Sequence, residues 1–323
     1  MALSPSRDMA QYLDPAQYST ALPVSFNKKD LLIYAVGIGC ADERHVYAEA
    51  ADFEMFPTFP VSLFFKGDSA DAHVMRENDV AQVLTPPFPQ RTYGVHSALD
   101  GERFIECVNP LPIEGGSFVW KTNYTAITRK GGGGILTEYV TTMEDADGKV
   151  YYRFWSAGFS LGKIPDFDDA GVSQSVSVAT PEREPDATER FQTSPLQSYM
   201  YSLTGDFNAP HMDTALGESL GYGGVILQGL GSCGISSRAV LRAYGGNEGV
   251  AFRSVRVRFS KPVLPGQTLE TRMWLDAASE AAPGSPIQPG TKRVVFQTVC
   301  VETGDTVISN AYMDLSDATK PKL

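Results

Sequence analysis

Apolar and polar residues alternate through this chain in short runs separated by turns. In the first half, Arg103-Phe-Ile-Glu-Cys-Val leads into Asn109-Pro-Leu-Pro-Ile-Glu-Gly-Gly and then Ser117-Phe-Val-Trp-Lys-Thr-Asn-Tyr. In the second, Ser254-Val-Arg-Val-Arg-Phe leads into Ser260-Lys-Pro-Val-Leu-Pro-Gly and then Thr268-Leu-Glu-Thr-Arg-Met-Trp-Leu. Two more alternating segments follow in each half. They are Ile135 to Met143 and Val150 to Gly158, joined by Asp145-Ala-Asp-Gly, then Arg293 to Val301 and Thr306 to Leu315, joined by Glu302-Thr-Gly-Asp. A period of two between polar turns predicts antiparallel strands in hairpins.

Each half also sets an apolar, helix-like stretch ahead of its strands. In the first it is Phe56 to Phe65, interrupted by Pro57 and Pro60. In the second it is Val225 to Ala243, apolar on nearly every face and therefore expected to be buried. Gly229, Gly231 and Gly234 each lower helix propensity by about 1 kcal/mol relative to Ala. What they offer in return is close approach of backbone to sheet or ligand. The stretch from 163 to 190 lacks periodicity and is rich in Asp, Glu, Ser and Pro, which reads as an exposed linker. The expected division is a first half at 1–165, a linker at 166–190 and a second half at 191–323. One helix and four or five strands cannot cover both faces of a sheet, so the halves are expected to pair. The expected class is α+β, with two antiparallel sheets side by side, each wrapping a buried helix.

Composition narrows the partners. The chain has 323 residues with 42% hydrophobic content and a net charge of −11. Phosphate backbones need a basic footprint, so nucleic acid is not an expected partner. No apolar run approaches the roughly 18 residues of a membrane helix, and the first 25 residues do not resemble a secretory signal. Cys40, Cys107, Cys233 and Cys300 are far apart, and so are His45, His73, His96 and His211. Reduced, mostly buried thiols are expected, with no metal site. One basic stretch stands out, with Arg253, Arg256, Arg258 and Lys261 ahead of Arg272. It reads either as a solvated strand face or as a surface for a phosphorylated small molecule. The last residues, Pro321-Lys322-Leu323, resemble the Ser-Lys-Leu peroxisomal address with Pro in place of Ser. They point to a peroxisome or related microbody, with the cytoplasm as the alternative.

The candidate chemistry lies in Thr204-Gly-Asp206-Phe-Asn208-Ala-Pro210-His211-Met-Asp213. Gly, Asp, Asn and Pro mark irregular backbone, which can turn Asp206, Asn208 and His211 towards one point. An Asp and a His converging on one water can exchange protons with it, while Asn208 orients it. The competing reading is an Asx turn leading into a capped helix. The Gly-rich run Gly221-Tyr-Gly-Gly-Val-Ile-Leu-Gln228-Gly229-Leu230 opens the apolar helix. Its first-turn N–H groups have no internal partner and can donate to a developing oxyanion.

These segments, in this order, resemble the MaoC-like R-specific enoyl-CoA hydratases, known as hydratase 2. The family pattern Ser/Thr-Gly-Asp-x-Asn-Pro-Leu-His-x-Asp corresponds to Thr204 to Asp213, and Pro-Ile-Leu-His-Gly-Leu to Val225 to Leu230. Val257-Arg-Phe-Ser-Lys-Pro-Val-Leu-Pro-Gly266 is similar to the family's Val-Arg-Phe-x-x-Pro-Val-x-Pro-Gly. Leu31-Leu-Ile-Tyr-Ala-Val-Gly-Ile-Gly39 and Phe56-Pro-Thr-Phe-Pro-Val61 resemble the start of the two-halved members found in peroxisomal multifunctional enzymes.

The resemblance implies a double hot-dog fold, an acyl-CoA substrate and hydration of trans-2-enoyl-CoA to the (3R)-3-hydroxyacyl-CoA in β-oxidation. It also implies Asp206 and His211 as the acid–base pair, Asn208 holding the water, and the Gly229 N–H in the oxyanion hole. Arg253, Arg256, Arg258 and Lys261 are candidates for the CoA phosphates. No cofactor is implied. The first half has no Asp-x-Asn-x-x-His, so it is expected to be non-catalytic and to make room for the acyl tail. The chain departs from the pattern in the shifted Pro210, in Val225 for Pro, and in Gln228 for His. An acyl-CoA thioesterase and an inactive acyl-CoA binding protein are the rival readings. Monomer and homodimer are both open.

Overall fold

The computed structural model describes residues 8–71, 95–131, 134–162, 166–276 and 290–316. His73 and Pro321-Lys322-Leu323 lie outside the described residues. The alternating segments form strands where the pattern places them. In the first half these are β1 (Ser19–Phe26), β2 (Val95–Cys107), β3 (Gly116–Lys130), β4 (Gly134–Glu144) and β5 (Val150–Gly162), with a two-residue β6 (Ala170–Gly171) on β3. In the second they are β7 (Ala187–Gln192), β8 (Phe252–Phe259), β9 (Thr268–Asp276), β10 (Thr291–Cys300) and β11 (Thr306–Ser316).

The strands run in the order β1-β3-β4-β5-β2-β8-β11-β10-β9-β7. Each half thus contributes the same succession, and the halves meet at equivalent strands. Residues Glu102 to Glu106 of β2 pair antiparallel with Arg258 to Ser254 of β8. The two expected sheets are therefore one continuous eleven-stranded sheet. The seam removes an open edge from each half, and exposed edges are where strands associate wrongly.

Helices pack on the core side of the sheet. In chain order they are α1 (Lys28–Gly37), α2 (Glu43–Val46), α3 (Leu63–Lys66), α4 (Gln197–Ser202), α5 (Thr214–Ser219) and α6 (Gly229–Tyr244). The apolar stretch expected from Val225 becomes helical only at Gly229. Residues before it run extended, and the Leu227 N–H donates to the Val263 carbonyl at 2.8 Å. In the first half, Phe56 to Phe65 folds as a 3₁₀ turn at Phe59–Ser62 followed by the single turn of α3. Pro60 lacks an N–H and restricts the residue before it.

The longer first-half helix is α1, which Asn27 and Asp30 cap reciprocally. It reaches the second half directly. A Cβ on Gly234 would lie 2.4 Å from Ile38 Cγ2 and 3.1 Å from Tyr34 Oη. Only a residue without a side chain fits there. One core cluster accordingly spans both halves, with Leu31, Tyr34 and Phe59 joined to Leu230, Ile235, Phe296 and Met313. Each such side chain contributes about 1.5–3 kcal/mol by leaving water.

Strand parity decides the fate of the basic stretch. Val255 and Val257 face the core, so Ser254, Arg256 and Arg258 face the other side of the sheet. There Arg256 is 6% exposed and lies over the rings of Trp155 and Phe104 at 4.4 and 5.4 Å. Glu102, across the seam, accepts from Arg258 Nη2 at 2.6 Å and Arg256 Nη1 at 3.4 Å.

The segment read as an exposed linker covers part of this face. Ser175 Oγ donates to Glu102 at 2.6 Å, the Gln174 N–H donates to Glu138 at 2.7 Å, and Val176 and Val178 are buried against Val295 and Tyr312. Its polar residues serve to satisfy buried carboxylates, which would be costly if left unpaired. Replacing Glu102 by Ala strands Arg256 as a buried cation. Urea unfolding at neutral pH should show a loss of about 2–4 kcal/mol. A loss within error of zero would mean that the seam does not depend on this carboxylate.

Candidate active site

The loop from Leu203 to Asp213 runs between α4 and α5 and is fixed from several sides. Gly205 takes φ +122°, and a Cβ there would lie 2.7 Å from both the Lys66 N and Cα atoms. Backbone of the first half thus presses directly on the residue before Asp206. Asp206 is 4% exposed. One carboxylate oxygen, Oδ1, accepts from the Asn208 N–H at 3.3 Å. The Asp206 carbonyl accepts from Gln228 Nε2 at 3.3 Å, and the same amide donates to Ser202 Oγ at 2.7 Å and the Ser198 carbonyl at 3.2 Å. Gln228, where the family pattern has His, therefore ties the loop to α4 and to the start of α6. Burial pushes the Asp206 carboxyl above its ordinary value, and the charge of His211 and the Asn208 N–H bond pull it back.

Ala209 to His211 form a 3₁₀ turn with Pro210 at its second position. The Pro210 carbonyl accepts from the Ile226 N–H at 3.1 Å, and His211 Nδ1 lies 2.8 Å from the Ile226 carbonyl. A carbonyl only accepts, so Nδ1 carries the hydrogen and Nε2 is left with its lone pair when the ring is neutral. Nε2 is then the atom able to take a proton. Asn208 makes no capping bond with its side chain. Helix capping falls instead to Asp213, whose carboxylate accepts from the Leu216 N–H at 3.1 Å.

Gly229 is the first residue of α6, so its N–H has no partner within the helix. Gln228 precedes it in extended conformation and provides no side-chain cap. A Cβ on Gly229 would come 3.2 Å from the Phe259 ring. The helix start is thus narrow and lined by donors, as an oxyanion site requires.

The structure ties Asp206 and His211 to the segment Ile226 to Gln228, which Gly229 follows, and Asn208 is bonded to Asp206 through its N–H. It does not bring the four basic candidates there together. Arg256 and Arg258 are committed to Glu102 on the far face. Arg253 donates to the Val250 and Phe252 carbonyls, each at 3.0 Å. Lys261 is exposed on the turn that follows Phe259, the residue whose ring packs against Gly229. Among the described residues, no group of three or more His, Cys, Asp or Glu could hold a metal ion. The sequence reading missed Arg103, which projects from β2 on the core side and bonds Asp100 and Ser156 there. The parity that buries Ile105 is its signal.

Residues 24–162 match the family model described as the MFE-2 hydratase 2 N-terminal domain, and residues 176–311 match the MaoC like domain. A solved MaoC-like dehydratase from Phytophthora capsici is 32% identical and has a TM-score of 0.83, over 97% of this chain and 100% of that one. The chain belongs to the MaoC-like dehydratase family. This family member is 34% identical over 91% of its length to peroxisomal multifunctional enzyme type 2 of Drosophila melanogaster, of which it spans 46%. It is 27% identical to the peroxisomal enoyl-CoA hydratase 2 of Arabidopsis thaliana, over 90% of each chain. It shares its fold with a Mycobacterium tuberculosis protein described as a double hotdog, at TM-score 0.53 and 13% identity over 94% and 98% of the two chains. The MaoC-like domain holds Asp206, Asn208, His211 and Gly229.

Since burial raises the folded carboxyl of Asp206 above its unfolded value, the native state holds a proton there more tightly than the unfolded chain does. Stability from this group is present at low pH and is lost as pH rises through the folded value. Asp206→Asn should therefore raise the melting temperature at neutral pH, with the gain closing as pH falls towards the ordinary carboxylate range. An equal gain at every pH would contradict this.

Proposed function

We propose that this chain adds water to trans-2-enoyl-CoA to give (3R)-3-hydroxyacyl-CoA, as a step of fatty acyl-CoA β-oxidation in the peroxisome. The observation that carries the proposal is that the Asp206 loop and His211 are both held to the segment Ile226 to Gln228, directly ahead of the uncapped start of α6. The names of the relatives from Arabidopsis and Drosophila support both the reaction and the compartment.

The reaction needs little beyond this arrangement. The thioester carbonyl accepts from the Gly229 N–H, so charge moving onto oxygen meets the helix start. Water held by Asp206, His211 and Asn208 attacks C3. As the C3–O bond forms, one O–H bond breaks and its proton passes to the Asp206–His211 pair. The pair returns one proton to C2, the C2–C3 π electrons having moved through the thioester. Atoms balance as one water added, and no electrons are lost or gained. One chain contains every group in this scheme, so no second copy is required. In the proposed division, residues 191–323 carry the chemistry, 166–190 connect, and 1–165 line the space for the acyl tail.

A purified sample mixed with a medium-chain trans-2-enoyl-CoA should lose its conjugated absorbance and yield the 3R product. Asp206→Ala and His211→Ala should each lower the rate by about 10² or more. Formation of the 3S product, or full activity in both variants, would overturn the assignment. Release of free CoA thiol would favour a thioesterase instead.

Lys261 is the basic candidate best placed for the CoA phosphates. Lys261→Ala should raise KM several-fold, on the order of 1 kcal/mol of binding, with kcat nearly unchanged. A fall in kcat at constant KM would remove Lys261 from that role.

A further inference from the structure

The carbonyl that holds the imidazole of His211 has a second partner. Ile226 lies in a stretch without helix or strand, so no ladder fixes where its carbonyl points. Its N–H donates to the Pro210 carbonyl at 3.1 Å, and its oxygen meets two donors. One is His211 Nδ1 at 2.8 Å, and the other is Ser198 Oγ, also at 2.8 Å. A backbone carbonyl has two lone pairs, and both are engaged here. His211 is half-buried, whereas Ser198 is fully buried on α4.

Helix α4 is itself anchored in the first half. Gln197 is buried, and its Nε2 donates to the carbonyl of Gly37, the last residue of α1, at 2.7 Å. A Cβ on Gly37 would stand 3.4 Å from Tyr201 Cα, so the two helices meet at the backbone. On its other side α4 receives Gln228, whose Nε2 donates to Ser202 Oγ at 2.7 Å and to the Ser198 carbonyl at 3.2 Å. One short helix thus holds both ends of Ile226 to Gln228 against a framework supplied by the first half.

We infer that Ser198 is a positioning residue, which aims the Ile226 carbonyl at His211 Nδ1 and so keeps Nε2 as the proton-accepting atom. The inference rests on the hydratase reading and extends it to a residue outside the Thr204 to Asp213 motif. A base is oriented only as well as the group behind it. In irregular backbone, a carbonyl held by the imidazole alone would follow the ring instead of directing it. A neutral ring freed in this way also populates the form with its hydrogen on Nε2, which cannot accept a proton there.

Ser198→Ala removes the donor and tests this directly. With a medium-chain trans-2-enoyl-CoA as substrate, kcat should fall on the order of tenfold while KM stays nearly unchanged. Ser198→Cys, with a weaker donor of similar size, should fall between Ala and wild type. Ser236→Ala is the control for a lost buried hydroxyl. Ser236 of α6 donates to the Ser232 carbonyl at 2.9 Å and lies 2.7 Å from Thr298 Oγ1 of β10. That variant should lower the melting temperature similarly and leave kcat nearly unchanged. Nitrogen NMR of protein labelled at histidine reads the ring itself, with His211 assigned by its absence in His211→Ala. At a pH where the ring is neutral, wild type should show Nδ1 protonated and Nε2 bare, and Ser198→Ala should move the two signals towards each other.

Ring signals that coincide with wild type, a change in KM at constant kcat, or an equal loss of kcat in Ser236→Ala would overturn the inference. If Ser198→Ala proves unfolded by circular dichroism, Ser198→Cys carries both readouts. Absence of turnover in the wild type would sink the hydratase reading, and the ring signals would still decide whether Ser198 positions His211.

Discussion

Five ladder pairs between β2 and β8 decide where everything else in this molecule can stand. They join equivalent strands, so the halves are arranged as if by a two-fold axis through the seam. That arrangement lays α1 against α6 and carries α3 up to the loop that holds Asp206. It also buries Glu102 and Arg256 on the opposite face, where they must satisfy each other. The site depends on the seam because its supporting atoms come from both sides of it. Lys66 presses on Gly205 from one half, and Gln228 draws the same loop inward from the other.

Much of this was legible in the sequence because the informative signals are local. Period-two alternation needs only neighbours along the chain, and the strands appear where it placed them. Asp206, Asn208 and His211 fall within six residues, so one loop can gather them whatever the rest of the fold does. The legible part ends where partners are distant. Arg256 and Arg258 looked like a surface for phosphates because Glu102, which neutralises them, lies about 150 residues earlier in the chain. The covering role of Val176 and Val178 was hidden by the Asp, Glu and Pro around them. The first-half helix was sought at Phe56 to Phe65, where hydrophobicity is highest. Pro57 and Pro60 limit that stretch to short turns, and the regular helix went to the capped segment starting at Lys28.

The departures from the family pattern also become clear only in three dimensions. Pro210 keeps its carbonyl available to the Ile226 N–H, and that contact helps carry the Ile226 carbonyl to His211 Nδ1. Gln228 provides what a flat amide can provide, a fork of donors reaching Ser198, Ser202 and the Asp206 backbone. Neither change touches an atom that exchanges protons in the proposed reaction. Both help hold the loop.

The equivalence of β2 and β8 at the seam has an evolutionary consequence. Two identical subunits joined through that strand would carry every substitution twice, once in each copy of the site. A single chain is free of that constraint. One copy can do without the motif while the other keeps it. Carrying both halves in one chain lets the two sides of a paired architecture differ.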